Sequence, residues 1–153
     1  MQHVTVRRAQ PADVDVLLGL FEGYRAFYKC SPDAGSARAF LLQRLQNGDS
    51  VVFVALDSDT GAGAGFVQLY PTFSSLRMRR AWILNDLFVD PSYRGHHVAK
   101  RLMEAARTLA VETKSATLAL ETARDNHTAR RLYETLGYQP EQAFVQYVLD
   151  VSE

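Results

Sequence analysis

Residues 81–89, AWILNDLFV, form an apolar run broken only at Asn85 and Asp86. Successive side chains of a strand point to opposite faces. A strand apolar on both faces belongs at the centre of a sheet, covered on both sides. Asp90-Pro91 ends the run. Beyond it, Val98, Leu102, Ala105 and Leu109 recur by steps of four, three and four, the spacing of one apolar helical face. SATLALET then reads as another strand. From Ala81 to Glu121 the chain is therefore strand, helix, strand, which closes as a right-handed crossover between parallel strands.

The remaining elements add layers to this unit. HVTVRR alternates and reads as a short strand. Val14, Leu17, Leu18, Phe21, Tyr24 and Tyr28 recur at helical spacing, with Asp13 as cap or first-turn residue. Pro32, Asp33 and Gly35 break that helix, and SARAFLLQRLQNGD forms a shorter one stopped at Asn47-Gly48. SVVFVAL and GFVQLYP are strands joined by the turn residues DSDTGAGA, and TFSSLRMRR is a polar connection. NHTARRLYETLG is a helix with Ala129, Leu132, Tyr133 and Leu136 on one face, and AFVQYVLDV is the last strand. The order is β-α-α-β-β-β-α-β-α-β. The fold class is α/β, with a mixed, mostly antiparallel sheet and helices on both faces. No repeat or composition shift marks a boundary, so 1–153 is read as a single domain.

Composition narrows the function. Lys+Arg and Asp+Glu both number 17, which argues against a general nucleic-acid binder. Any positive site is local. No segment approaches the roughly 18 continuous apolar residues of a membrane span, and the N-terminal stretch lacks a signal peptide's apolar core. A single cysteine, Cys30, fits a reducing compartment, and the expected location is cytoplasmic.

Three stretches carry chemistry. In the first, Arg94, Gly95, His96, His97, Val98, Ala99 and Lys100 precede and open a helix after the C-terminal end of a central strand. Helix N-termini attract anions, and open α/β sheets bind ligands at strand C-termini. The stretch is an anion cradle or an ordinary turn with a solvated basic face. Zinc at His96-His97 is not expected, because adjacent histidines lack ligand spacing. In the second, Asn85 and Asp86 are polar groups in a buried run and need partners; either one faces a cleft or Asp86 bonds a neighbouring backbone or arginine. In the third, Asp125 or Asn126 caps a helix whose Tyr133 is a core aromatic or a functional hydroxyl.

Taken together, LNDLFVDPSYRGHHVAKRLM and LETARDNHTARRLYETLGY resemble the GNAT superfamily of N-acetyltransferases, and the resemblance runs over nearly the whole chain. It implies acetyl-CoA as donor and an amine as acceptor. It implies a bulge in the strand Ala81–Val89 and a gap beside it for pantetheine, bonded to backbone at Leu87 and Val89. It implies a diphosphate loop at Arg94–Ala99, in which His97 occupies the position of the middle glycine. It places Asn126 against the cofactor and Tyr133 near its sulfur. A side chain at position 97 is expected to weaken or reshape CoA binding, by about 1–2 kcal/mol, the scale of local backbone strain, or, if protonated, to help hold phosphate.

The reaction this implies is direct transfer between two bound substrates. Backbone N–H near Leu87 or Phe88 polarises the thioester carbonyl. Tyr133 is the acid for the leaving thiolate, since a phenol near pKa 10 stays protonated where a thiol near 8.5 forms. The glutamate of polyamine acetyltransferases is replaced by Asn85, which cannot take a proton. Asp86, Glu22 or ordered water then deprotonates the acceptor. Tyr24, Tyr28, Tyr70 and Phe73, with Phe21, either line an acceptor pocket for a cationic amine or are packing aromatics. Polyamine, lysine side chain and small amine all fit. The alternative is a non-catalytic acyl-CoA-binding sensor or interaction module. The last strand is of a kind that exchanges across a homodimer.

Overall fold

The computed structural model describes residues 3–152. The residues up to Glu121 form one compact unit and those from Thr122 a second.

The first unit is built on five strands: β1 (Val4–Arg8), β2 (Val51–Asp57), β3 (Gly63–Ser74), β4 (Arg79–Val89) and β5 (Leu118–Leu120). They lie in the order β1-β2-β3-β4-β5. The first three pairings are antiparallel and β4–β5 is parallel, as a strand–helix–strand unit requires. Its helices are α1 (Val14–Phe27), α2 (Ala34–Asn47) and α3 (Val98–Glu112).

Adjacent residues of β3 show that the helices cover opposite faces. Phe66 is buried with Leu17, Phe21 and Leu41 of α1 and α2. Its neighbour Gly65 points the other way, where an added Cβ would lie 3.2 Å from Leu102 of α3. Helix α1 reaches the sheet closely because Gly23 leaves room for the Phe88 ring, which a Cβ would meet at 2.9 Å. Asp33 caps α2 by accepting from the Ser36 N–H at 3.1 Å, and Gly48 ends it in the left-handed conformation. Helix α3 buries Val98, Leu102, Met103, Ala106, Leu109 and Ala110. That stripe is wider than the one read by periodicity, and Ala105 lies at its margin.

Two expectations are corrected. The polar connection TFSSLRMRR is mostly strand: β3 runs to Ser74 and β4 starts at Arg79, leaving a turn only at 75–78. Backbone pairing carries this hairpin past the point where side-chain alternation is informative. The last strand, 143–151, has no ladder among the described residues, because a strand requires a paired neighbour. The second unit contains one helix, α4 (His127–Thr135).

Candidate active site

The site in the first unit originates from one unpaired residue. Gln68 pairs with Asp86, but Leu69 pairs with Leu84, so Asn85 has no counterpart on β3. This is a β-bulge. It changes which face each side chain occupies. Before it, Trp82 faces α3, where its indole N–H donates to Thr113 Oγ1 at 2.9 Å. After it, Phe88 packs against α1. Asp86 shares the Phe88 face and is buried.

The carboxylate is held by neutral donors. Gln68 Nε2 donates to Asp86 Oδ2 at 2.6 Å, and Asn85 Nδ2 to Oδ1 at 2.9 Å. Ser50 donates to Gln68 Oε1 at 3.0 Å. A side-chain bond between adjacent strand residues is possible here because the bulge breaks their alternation. Tyr24 OH donates to the Asn85 carbonyl at 3.3 Å. Burial first, and then the Asp86 charge, hold the Tyr24 phenol well above its ordinary pKa. The same two causes push Tyr70 up to about 12. Both phenols therefore remain protonated donors around a buried anion. Among the described residues, no Lys, Arg or His forms an ion pair with Asp86.

Tyr28 stands beside this group, its ring 5.1 Å from that of Tyr24. Phe73 does not join it. It lies near the hairpin tip, 72% exposed, with the Arg80 guanidinium 5.5 Å over its ring. Phe73 there lines a separate open groove with Met78, Arg79 and Arg80, which contains no acidic residue.

Past the bulge, the sheet is open on the β5 side. The β4–β5 ladder runs from Trp82–Leu118 to Leu84–Leu120 and stops. Beyond it, β4 continues through Leu87, Phe88 and Val89 with no partner strand on that edge among the described residues. Apart from the Val89 carbonyl, which accepts from Arg94, the outward polar groups of this edge meet no partner strand and can bond a ligand.

A short 3-10 turn, Pro91–Tyr93, leads from β4 to the loop. Asp90 accepts from the Ser92 N–H and hydroxyl. Tyr93 is buried and donates to Asp57 Oδ2 at 2.7 Å, tying this turn to the end of β2. The bond from Tyr93 holds the Asp57 carboxyl below its ordinary range. A depressed carboxyl contributes stability above its unfolded pKa, near 3.9, and loses it as pH falls through the folded value. Tyr93→Phe is therefore expected to lower the Tm at neutral pH. Its deficit should shrink below about pH 4, which thermal melts across pH would show.

Gly95 and His97 both have positive φ, 82° and 61°. His97 stands at the N-cap of α3 in the left-handed region that suits glycine. No side chain caps this helix, and its first turn contains no acid. The first-turn N–H groups that every helix leaves unpaired are thus open to an anion. Arg94 lies over Phe88 at 6.0 Å and donates to the Val89 carbonyl at 3.3 Å. His96, His97 and Lys100 are exposed. An uncapped helix start next to an open strand edge suits an extended ligand with a diphosphate, as CoA is.

In the second unit, Asn126 Oδ1 accepts from the Ala129 N–H at 3.2 Å and caps α4. Tyr133 is half-buried on the same side as Ala129, Leu132 and Leu136, its ring 6.2 Å from Tyr138. Gly137, at φ 96°, follows the helix end.

Sequence reasoning missed Gln68 and Ser50. The signal was present, since Gln68 interrupts the apolar GFVQLYP just as Asn85 and Asp86 interrupt β4. It also missed the Tyr93–Asp57 bond, for which no local pattern exists.

Comparison with known proteins gives consistent results. The profile of the acetyltransferase (GNAT) family matches residues 18–138. A Bacillus subtilis (strain 168) protein named "Uncharacterized N-acetyltransferase YhfO" is 43% identical over 148 residues, covering 97% of this chain and 98% of that one. A crystal structure of a probable acetyltransferase superposes with a TM-score of 0.92 at 38% identity, covering 97% and 99% of the two chains. The aminoglycoside N-acetyltransferase AAC(6')-Iy in complex with CoA shares the fold, with a TM-score of 0.80 at 20% identity and 97% and 96% coverage.

Proposed function

This chain belongs to the acetyltransferase (GNAT) family, and from that membership we propose that it acetylates a primary amine whose ammonium docks at Asp86. The family's donor is acetyl-CoA, which supplies the acetyl group as a reactive thioester. One observation carries the acceptor reading. Asp86 is a buried carboxylate held by amides and ringed by phenols, and no cation pairs with it among the described residues. A buried charge of this kind calls for an opposite charge, and a protonated amine provides one.

The residues take the following roles. First-turn amides of α3 at Val98, Ala99 and Lys100, with Gly95, His96 and His97 before them, hold the diphosphate, and Arg94 adds charge. The open edge at Leu87 and Val89 holds the pantetheine arm, and N–H near Leu87 or Phe88 polarises the thioester carbonyl. Asn126 contacts the donor. Asp86 binds the ammonium and takes its proton, Asn85 fixes one carboxylate oxygen, and Tyr133 protonates the departing thiolate. Tyr24, Tyr28 and Tyr70 receive the acceptor beside Asp86. Phe73 would meet only a long acceptor reaching the hairpin tip. A polyamine, a lysine side chain and a small amine each present the required group. Incubation of acetyl-CoA with a panel of these amines, reading released thiol, tests the proposal. Turnover on none of them would defeat it.

His97 bears on donor binding. Its left-handed conformation belongs to the folded backbone, so we count the strain against folding rather than against binding. Relief of about 1 kcal/mol in His97→Gly is offset by a glycine entropy cost of about 0.5–1 kcal/mol. The expected result is a nearly unchanged Tm and CoA affinity within about threefold of wild type, measured by calorimetry.

We also place the enzyme in the cytoplasm as a homodimer. Cys30 is a free, exposed thiol, which suits a reducing compartment. Phe144, Val145, Tyr147, Val148, Leu149 and Val151 are 79–93% exposed. On our reading a second copy covers this apolar segment and supplies the same segment in return. Val148→Asp is expected to convert the dimer to monomer in light scattering. A wild-type monomer at micromolar concentration would refute this assembly.

A further inference from the structure

Gln68 is wholly buried, and among the described residues its side-chain amide bonds to Ser50 at one end and Asp86 at the other. An ionised carboxylate only accepts, so the amide must turn its nitrogen toward Asp86. The Ser50 hydroxyl then donates to the oxygen at the other end and makes that orientation the favourable one. Asn85 holds the second carboxylate oxygen. Both holders are neutral. They stabilise the anion without cancelling its charge, where a lysine or arginine would have neutralised it.

We infer that Gln68, oriented by Ser50, is a positioning residue that fixes the Asp86 carboxylate as an ionised receptor for the acceptor's ammonium. This rests on the reading of Asp86 given above. Gln68 and Asp86 are directly paired across the ladder, on the residue next to the bulge, so the bond sets the direction of the carboxylate as well as its charge. The groups facing it are few. Tyr24 comes from α1 with Tyr28 behind it, and Tyr70 from β3, where Arg44 of α2 and Asp49 also act on it. Both phenols stay neutral and Tyr24 also bonds the carboxylate, while the two amides each hold one of its oxygens.

A donor bond to the charged form lowers a carboxyl pKa. Removing it should raise the pKa and carry the acid limb of activity toward neutrality. The test is a carbon-13 NMR titration of aspartate-labelled protein, with the Asp86 carboxyl signal identified by its loss in Asp86→Asn. The midpoint in Gln68→Leu should lie about one pH unit or more above wild type, the scale of a hydrogen bond to a charged group. Ser50→Ala, which disturbs the core less, should move it the same way by a smaller step and serves if Gln68→Leu does not fold. With an amine that is turned over, the acid limb of kcat/KM should follow the midpoint, and kcat should fall about tenfold or more with CoA affinity unchanged. An unmoved midpoint in a folded variant of an active enzyme overturns the role of Gln68 alone. A midpoint that moves while the acid limb stays overturns it as well. A wild-type protein that acetylates no amine overturns the reading of the site and this inference with it.

Discussion

Asp86→Asn is expected to lower kcat/KM for the acceptor by about a hundredfold to ten-thousandfold, the span associated with loss of a positioned general base. The replacement has nearly the same shape and keeps an oxygen able to accept from Gln68. It cannot ionise, so it neither attracts an ammonium nor takes its proton. The proposed donor site lies along the backbone of β4 and at the start of α3, and neither depends on a charge at position 86. Calorimetry should therefore find CoA affinity close to wild type. Steady-state assays should find the loss in both kcat and KM, because the same carboxylate binds the amine and deprotonates it. Retention of more than a tenth of wild-type kcat/KM would remove Asp86 from the mechanism.

Gly65→Ala is expected to destabilise the protein by about 2–3 kcal/mol, at the upper end of overpacking effects. The added Cβ would lie 2.7 Å from the Phe88 carbonyl oxygen, 3.2 Å from Leu102 and 3.4 Å from the Val89 Cα. A side chain could rotate away from such a contact, but a backbone carbonyl inside a ladder cannot. Relief requires β4 to move at Leu87 and Val89, the stretch we propose for the donor. Urea unfolding should show the loss in stability, and CoA binding should weaken in the same variant. A glycine substitution that spared both would mean that β3 and β4 are less tightly joined than their pairing indicates.

Much of this arrangement was legible in the chain. The steps from Val98 to Leu109 located α3, the two-sided apolar run located β4 at the interior of the sheet, and Asn85-Asp86 stood out as polar residues needing a purpose. Their geometry was not legible. Trp82, Leu84, Asp86 and Phe88 look like one face of a regular strand, but they divide between α3 and α1 because β4 carries one residue more than β3 opposite it. Register is a relation between distant segments, and a window on one of them does not contain it. Gln68 was overlooked for the same reason, since its meaning depends on what lies across the ladder. The left-handed backbone at His97 could be read only from the family's glycine at that place; a histidine by itself gives no sign of positive φ. The segment 143–151 has the composition of a strand, but composition does not say whose sheet completes it.

The parity of β4 has a consequence for how this enzyme tolerates change in length. Were Asn85 deleted, Asp86 would follow Leu84 directly and still point to the opposite side, as would every residue after it. The layers would close as they do now, on an unbroken ladder. What would change is the offset of Asp86 through Val89 against the end of the β4–β5 ladder, the stretch we propose for acceptor and donor. Architecture and the proposed chemistry thus place separate demands on the strand: the first can dispense with its odd residue, and the second makes use of it.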